Sequence, residues 1–368
     1  MIENFKLSAK GGSASGGKIA IFYDWLNQWG GAERVLLDIL SLYPEADLYT
    51  LTYDSKKTSW LPTKNIVFSQ NLPNKIFYTP FYAGKLEHLD FSSYDILIST
   101  TSTVGHCFLT QPRTLFLCYF HNINRYLYQN PPHILKPLLK KYQSIDRIYA
   151  ERPDFLFCNS KTVQDRISAQ YHRPATIIYP GIDLDKFVPT PKPSNDYFLI
   201  VSRLVPHKNI DLVIKAFEKL NLKLKIVGAG REEKYLHCLA SDNKNIEFLG
   251  NVDESELVKL YQNCQGLIHP QEEDFGLSPL EAEACGRGVL AYNRGGATET
   301  VANHQSGLLF ENQDITSLRQ ALISYLESPP NPSSCRLQAK KFDRQLFMLN
   351  FKKQVQNLWQ KHCQTISQ

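Results

Sequence analysis

The chain has 368 residues, 43% hydrophobic and 12% aromatic, with 41 Lys and Arg against 36 Asp and Glu. That length supports about two domains with a core each, and 19 Gly and 20 Pro exclude collagen-like and disordered chains. The excess charge lies in residues 1–193, with 21 basic residues against 16 acidic ones, while residues 194–368 carry 20 of each. Such an excess favours an anionic partner or membrane surface and falls far short of a nucleic-acid binder's stripe. No run reaches the ~18 apolar residues of a membrane span, and no apolar signal core opens the chain. The expectation is a cytoplasmic protein, peripheral at most to the inner face of a membrane. Eight cysteines without a C-x-x-C pair read as buried free thiols rather than disulfides or zinc ligands.

Residues 1–17 end in Gly-Gly-Ser-Ala-Ser-Gly-Gly and read as a flexible leader and linker. From Lys18, short apolar runs alternate with amphipathic stretches. Strands are expected at 18–23, 48–52, 95–99, 114–120, 154–159 and 176–179, with helices at 32–43, 76–89, 134–151 and 161–171. Alternation of this kind predicts a parallel sheet covered on both faces. The pattern restarts after a proline-rich link, with strands at 197–201, 224–227, 246–249, 266–269, 289–292 and 307–310. The expected fold is α/β: two Rossmann-like doubly wound domains facing a central cleft. Their expected bounds are 18–185 and 197–335, with a linker over 186–196. A helical segment over 336–368 is expected to pack back on the first domain. Doubly wound sheets bind ligands outside the carboxyl ends of their strands, so the loops there carry the chemistry.

The loop after the first strand contains Trp25 and the pair Gly30-Gly31 ahead of a helix. Adjacent glycines let an anion approach a helix N-terminus closely, and they equally make an ordinary turn. Neither this loop nor Gly228-Ala229-Gly230 has the G-x-G-x-x-G spacing, which disfavours a dinucleotide dehydrogenase. Ser202 to Lys208 follows the first strand of the second domain, and its Arg203 and Lys208 read equally as a pair for a diphosphate that gains charge on leaving or as ordinary surface basics at a solvated helix start. The sharpest pattern is Glu272 to Glu281, with Glu273 in a strand-end loop and Glu281 one turn into the next helix. Ser278 and Glu281 also read as a capping box. Asp183-Leu184-Asp185, a D-x-D, reads as a turn rather than a metal site. The segment 133–152 mixes apolar residues with five Lys and Arg; it reads as a solvated helix or a face for anionic lipid.

Together, G-G-A-E-R (30–34), Y-F-H-N-x-x-R (119–125), R-L-V-P-H-K (203–208) and E-D-F-G-x-x-P-x-E-A (273–282) resemble the family-four retaining glycosyltransferases of GT-B fold. The continuation over 284–301 is most similar to the bacterial O-antigen and surface-polysaccharide mannosyltransferase branch. The resemblance implies a metal-independent hexosyltransferase with no cofactor, whose co-substrate is a nucleotide sugar, best matched by GDP-mannose. Its acceptor would be a glycan or polyprenyl-linked glycan. It further implies that Gly30 and Gly31 face the diphosphate and sugar, and that Ser202, Arg203 and Lys208 line the phosphates. The backbone of Asp274, Phe275, Gly276 and Leu277 would meet the diphosphate, and that of Gly250, Asn251 and Val252 the base. Glu281 would hold the ribose and Glu273 the sugar. Trp25, His106, His121, Asn122 and Arg125 would lie on the acceptor side, with His121, Glu273, Arg203 and Lys208 as the catalytic set. The loop 100–106 (T-T-S-T-V-G-H) and Asn122-Ile123-Asn124 depart from the branch, which puts the substrate rather than the reaction class in question. Alternatives are a UDP-sugar transferase, an epimerase or hydrolase of the same fold, and a non-catalytic sugar-nucleotide or glycan binder.

Overall fold

The structure, a computed structural model, describes residues 17–61, 66–69, 84, 86–129, 137–218 and 220–367. Most of the expected leader, most of the 76–89 helix and the start of the 133–152 segment lie outside the described residues. The chain forms two compact units. The first comprises residues up to Asn159, Val163–Ile178 and Met348 onward; the second comprises Ser160–Thr162 and Tyr179–Phe347.

In chain order the first unit contains β1 (Ile19–Leu26), α1 (Gly31–Leu42), β2 (Asp47–Tyr53), β3 (Ile66–Ser69), β4 (Ile96–Thr101) and β5 (Leu115–Phe120). There follow α2 (Arg125–Tyr128), α3 (Leu139–Ala150), β6 (Phe155–Cys158), α4 (Lys161–Tyr171) and β7 (Thr176–Ile177). The strands form one parallel sheet in the order β3-β2-β1-β4-β5-β6-β7. Every residue of β4 and β5 is buried, as expected where both faces of a parallel sheet are covered. Strand β3 was not expected from the sequence; a four-residue edge strand carries too little pattern to stand out.

The second unit contains β8 (Tyr197–Val201), a 3₁₀ turn at Pro206–Lys208, α5 (Ile210–Phe217), β9 (Lys223–Val227), α6 (Glu233–Leu239), β10 (Ile246–Gly250) and α7 (Glu254–Asn263). Next come β11 (Gly266–His269), α8 (Leu277–Ala284), β12 (Gly288–Tyr292), α9 (Ala297–Thr300), β13 (Gly307–Phe310), α10 (Ile315–Glu327) and α11 (Pro332–Lys340). Its parallel sheet runs β10-β9-β8-β11-β12-β13. Side chains alternate between the two faces with the period of a strand. Tyr197, Leu199, Leu267 and Val289 enter one apolar layer; Phe198, Ile200, Ile268 and Leu290 enter the other.

The last helix, α12 (Arg344–Ile366), begins in the second unit and continues as part of the first. Phe351 on it packs edge-on against Tyr119 and near Phe157 of the first sheet. The chain passes into the second unit after Ile178, ahead of the Asp185 boundary read from the sequence. Ile182 accounts for this: its N–H donates to the Phe342 carbonyl (2.9 Å) and its own carbonyl accepts from Arg344 N–H (2.9 Å). Arg336 adds bonds to the carbonyls of Leu184 and Phe187. The eight cysteines are free, and six of them are buried.

Candidate functional site

In each sheet the chain order reverses beside the first strand of its unit: between β1 and β4 in the first, between β8 and β11 in the second. Loops leaving neighbouring strands there diverge, and a ligand fits between them. The expected site residues fall mainly at these two places.

At the first, Asp24 and Trp25 are among the last three residues of β1. Asp24 is buried and binds the loop after β4: its carboxylate accepts from Thr101 Oγ1 (2.8 Å) and from Ser102 N–H (2.7 Å). Burial drives the Asp24 carboxyl upward in pKa, against these hydrogen bonds. Trp25 donates from Nε1 to Thr103 Oγ1 (3.4 Å), so the same loop is held twice. Gly30 is the N-cap of α1, in extended backbone and with no side-chain cap, which leaves first-turn N–H groups for another acceptor. Glu33, one turn on, is buried and accepts from Tyr23 Oη (2.6 Å) and Gln28 Nε2 (3.2 Å).

His121 directly follows β5. Its N–H donates to the Thr101 carbonyl (2.8 Å), and its ring stands edge-on to Tyr23 and Tyr119. Asn122 beside it accepts from Arg166 Nη1 of α4 (3.2 Å), while its own amide nitrogen is buried without a partner. Arg125 opens α2, capped by Asn124. His106 stands apart from these residues: it is fully buried, 3.0 Å from Asp146 Oδ1, with Tyr171 Oη on the other carboxylate oxygen (2.8 Å). Asp146 and Tyr171 come from α3 and α4, so only the folded chain gives this histidine its partner.

At the second switch, Arg203 after β8 is exposed and makes no ion pair among the described residues. Lys208 ends the 3₁₀ turn, buried, and its Nζ pairs with Glu273 Oε1 in the loop after β11. One buried cation and one half-buried carboxylate thus join the two loops that flank the reversal. Behind them, Gln271 Nε2 lies 3.1 Å from His269 Nδ1 and 3.5 Å from Glu273 Oε1. Burial, with the Lys208 charge adding to it, drives His269 down to a pKa of about 3, so this imidazole is neutral.

Asp274 and Leu277 are half-buried and Phe275 is buried, its ring stacked with Tyr179. The N-cap of α8 is Gly276, in positive φ (87°), not Ser278. The capping box is therefore absent: Ser278 Oγ donates to the Val201 carbonyl (3.3 Å), tying α8 to the end of β8. Glu281 is buried, and its Oε2 accepts from Tyr261 Oη (2.7 Å). Gly250 ends β10, with Asn251 and Val252 following it, and the Gly250 carbonyl accepts from Gly228 N–H (2.7 Å).

Two glycine sets take their meaning only from the fold: Gly228 and Gly230, weighed in the sequence as a dinucleotide loop, and Gly295 and Gly296. A Cβ on Gly228 or Gly230 would collide with the carbonyls of Ser202 and Leu204, so these glycines seat the Arg203 loop. A Cβ on Gly295 or Gly296 would likewise strike the backbone of Glu273 or Phe275, where Gly296 N–H donates to the Glu273 carbonyl (2.8 Å). Both sets are visible in the sequence after strands, but what they approach is remote in sequence. Asp183 Oδ1 accepts from the N–H groups of Asp185 and Lys186 (3.1 Å each), so the D-x-D builds its own turn.

Two doubly wound units with these strand-end loops define the GT-B class of fold. The chain belongs to the glycosyltransferases: residues 29–186 match the Glycosyltransferase Family 4 profile and residues 182–342 the Glycosyl transferases group 1 profile. It is 28% identical over 233 residues to the D-rhamnosyltransferase WbpZ of Pseudomonas aeruginosa, covering 58% of this chain and 59% of that one. It is 31% identical over 215 residues to a GDP-mannose-dependent monoacylated alpha-(1-6)-phosphatidylinositol monomannoside mannosyltransferase of Corynebacterium glutamicum, covering 51% and 56%. The chain thus spans little more than half the length of these relatives. Among solved structures, Anabaena HepE in complex with UDP-glucose superimposes with a TM-score of 0.73 at 20% identity, over 93% of this chain and all of that one. No helix among the described residues is long and apolar enough to cross a membrane.

Proposed function

We propose that the chain is a nucleotide-sugar-dependent hexosyltransferase that retains anomeric configuration, with GDP-mannose as donor and a glycan or polyprenyl-linked glycan as acceptor. The observation that carries it is the joining of Lys208 to Glu273 across the second switch, with the unpaired guanidinium of Arg203 on the same loop. One cation held in place by a carboxylate and one free to turn toward a ligand at the same strand end would stabilise a diphosphate as it leaves, charge of a kind worth ~10²–10³ in rate per group. In this reading Ser202 and the N–H groups of Asp274 to Leu277 add hydrogen bonds to the phosphates. Glu273 takes the sugar hydroxyls, Glu281 the ribose with Tyr261 steadying its other oxygen, and Gly250 to Val252 the base. On the first unit, Gly30, Gly31, Trp25, His121, Asn122 and Arg125 serve the transferred sugar and the acceptor. No metal is assigned, since the chain's own cations face the phosphates.

The relatives support mannose: the Corynebacterium protein is described as GDP-mannose-dependent, as is a mannosyltransferase of Mycolicibacterium smegmatis. HepE, described with UDP-glucose, favours a UDP-sugar as the second reading. Thermal shift with GDP, UDP and ADP, with and without EDTA, separates them. A ligand at 100 times its dissociation constant adds ~2.7 kcal/mol to the native state. A GDP shift that survives EDTA is expected; a UDP shift changes the donor; no shift with any diphosphate overturns the transferase reading. Product of inverted anomeric configuration overturns retention.

A further inference from the structure

We infer that Gln271 is a positioning residue for the sugar end of the donor, its amide nitrogen bridging the His269 imidazole to the Glu273 carboxylate. The inference deepens the transferase reading and rests on it. His269 is the last residue of β11 and its backbone is fixed by parallel pairing to Ala291 of β12. Its ring is buried, and Gln271 beside it is 2% exposed, so neither side chain has room to wander. The amide nitrogen carries two hydrogens, and two acceptors face it: His269 Nδ1 at 3.1 Å and Glu273 Oε1 at 3.5 Å. With the amide nitrogen placed between these two atoms, Nδ1 takes the acceptor role, the tautomer in which it carries no proton.

Since Nδ1 accepts, the proton of the neutral ring sits on Nε2. Protonation of Nδ1 would remove the acceptor and is opposed by burial and by Lys208. His269 Nε2 and Gln271 Oε1 are both buried without a hydrogen-bond partner, an arrangement that burial penalises. A chain folding for stability alone would place apolar groups here. What the pair achieves instead is a rigid line from the sheet to Glu273 and on to Lys208. The 3.5 Å step is at the long end of hydrogen bonding, as is common in site contacts that tighten around a ligand.

The test uses the full chain with Gln271→Met and Gln271→Glu, both close in length and both unable to donate from a neutral amide. Dissociation constants are measured for GDP and GDP-mannose, and for UDP and UDP-glucose. The sugar's contribution is the ratio of the two constants within each pair. Both variants are expected to bind the nucleoside diphosphate within threefold of the parent, while the ratio for the preferred pair falls at least tenfold. A merely structural role would weaken both members alike. A folded variant that keeps the parental ratio, or loses both affinities equally, overturns the inference. A parent chain that binds none of the four overturns the transferase reading itself, a separate result. Where one variant does not fold, the other decides.

Discussion

The two switch points have the same topology and opposite chemistry. In the first unit, the carboxylates at the strand end are spent inward: Asp24 binds the 101–104 loop, and Glu33 is taken by Tyr23 and Gln28. What the loops present is a bare helix start, aromatic rings and one unpartnered amide. In the second unit, the strand-end loops carry cations, one exposed and one joined to a carboxylate that is itself half-buried. A doubly wound sheet supplies a place for a ligand, and only the residues in its loops decide whether that place suits a charge or a neutral polyol.

The largest expected effect tests the charged side of this contrast. Arg203→Ala should cut turnover by ~10²–10³ in a coupled assay for released nucleotide, with the melting temperature unchanged because Arg203 is exposed. Near-normal turnover would remove the phosphate role. Asp24→Ala tests the other side. It strands the N–H groups of Ser102 and Val104, and should cost about 2–3 kcal/mol in denaturant unfolding. GDP affinity, a property assigned to the second unit, should survive in whatever remains folded.

Acidification gives a smaller, signed effect. His269 has a folded pKa of about 3 against an ordinary 6.5, so the unfolded chain binds its proton first. Stability due to this group is full above about pH 6.5 and falls as pH drops toward 3, by up to ~1.4 kcal/mol per unit. Asp24 has the opposite sign: its raised pKa makes the native state lose stability as pH rises above 3.8. The parent-minus-variant difference in unfolding free energy should therefore slope upward with pH for His269→Gln and downward for Asp24→Asn. A flat difference for His269→Gln would mean that the imidazole is charged in the native state.

The smallest stability effect is expected at Gly30. Its φ of −176° suits any residue, and an added Cβ would meet only the end of the Glu33 side chain at 3.1 Å. Gly30→Ala should shift stability by less than about 0.5 kcal/mol. If turnover nevertheless falls, the loss belongs to a ligand approaching the helix start; if neither changes, Gly30 is an ordinary turn residue.

The strands were legible because buried parallel strands are written as continuous apolar runs: β4, β5, β8 and β11 lie within two residues of the runs that predicted them, and β1 continues three residues beyond its run. The placement of Arg203, Lys208 and Glu273 in strand-end loops was legible for a related reason: the apolar strands β8 and β11 fix where those loops begin. The burial of His106 was not legible, because the polar-looking stretch before it is held by Asp24 on β1 and its partner Asp146 is 40 residues away. The capping box failed because Gly276 can turn the chain in a conformation that Ser278 would resist.

By itself, then, the sequence determined the alternation of strands and helices, the two-unit plan and the residue types at the strand ends. These depend on local periodicity and on where apolar runs stop. Tertiary structure alone decided which partner each carboxylate takes: the 101–104 loop for Asp24, Tyr23 for Glu33, Lys208 for Glu273 and Tyr261 for Glu281. It also decided why glycine is needed at 228, 230, 295 and 296, and that Gln271 stands between His269 and Glu273. Each of these depends on what approaches from a distant part of the chain, and spacing along the chain does not encode that distance in space.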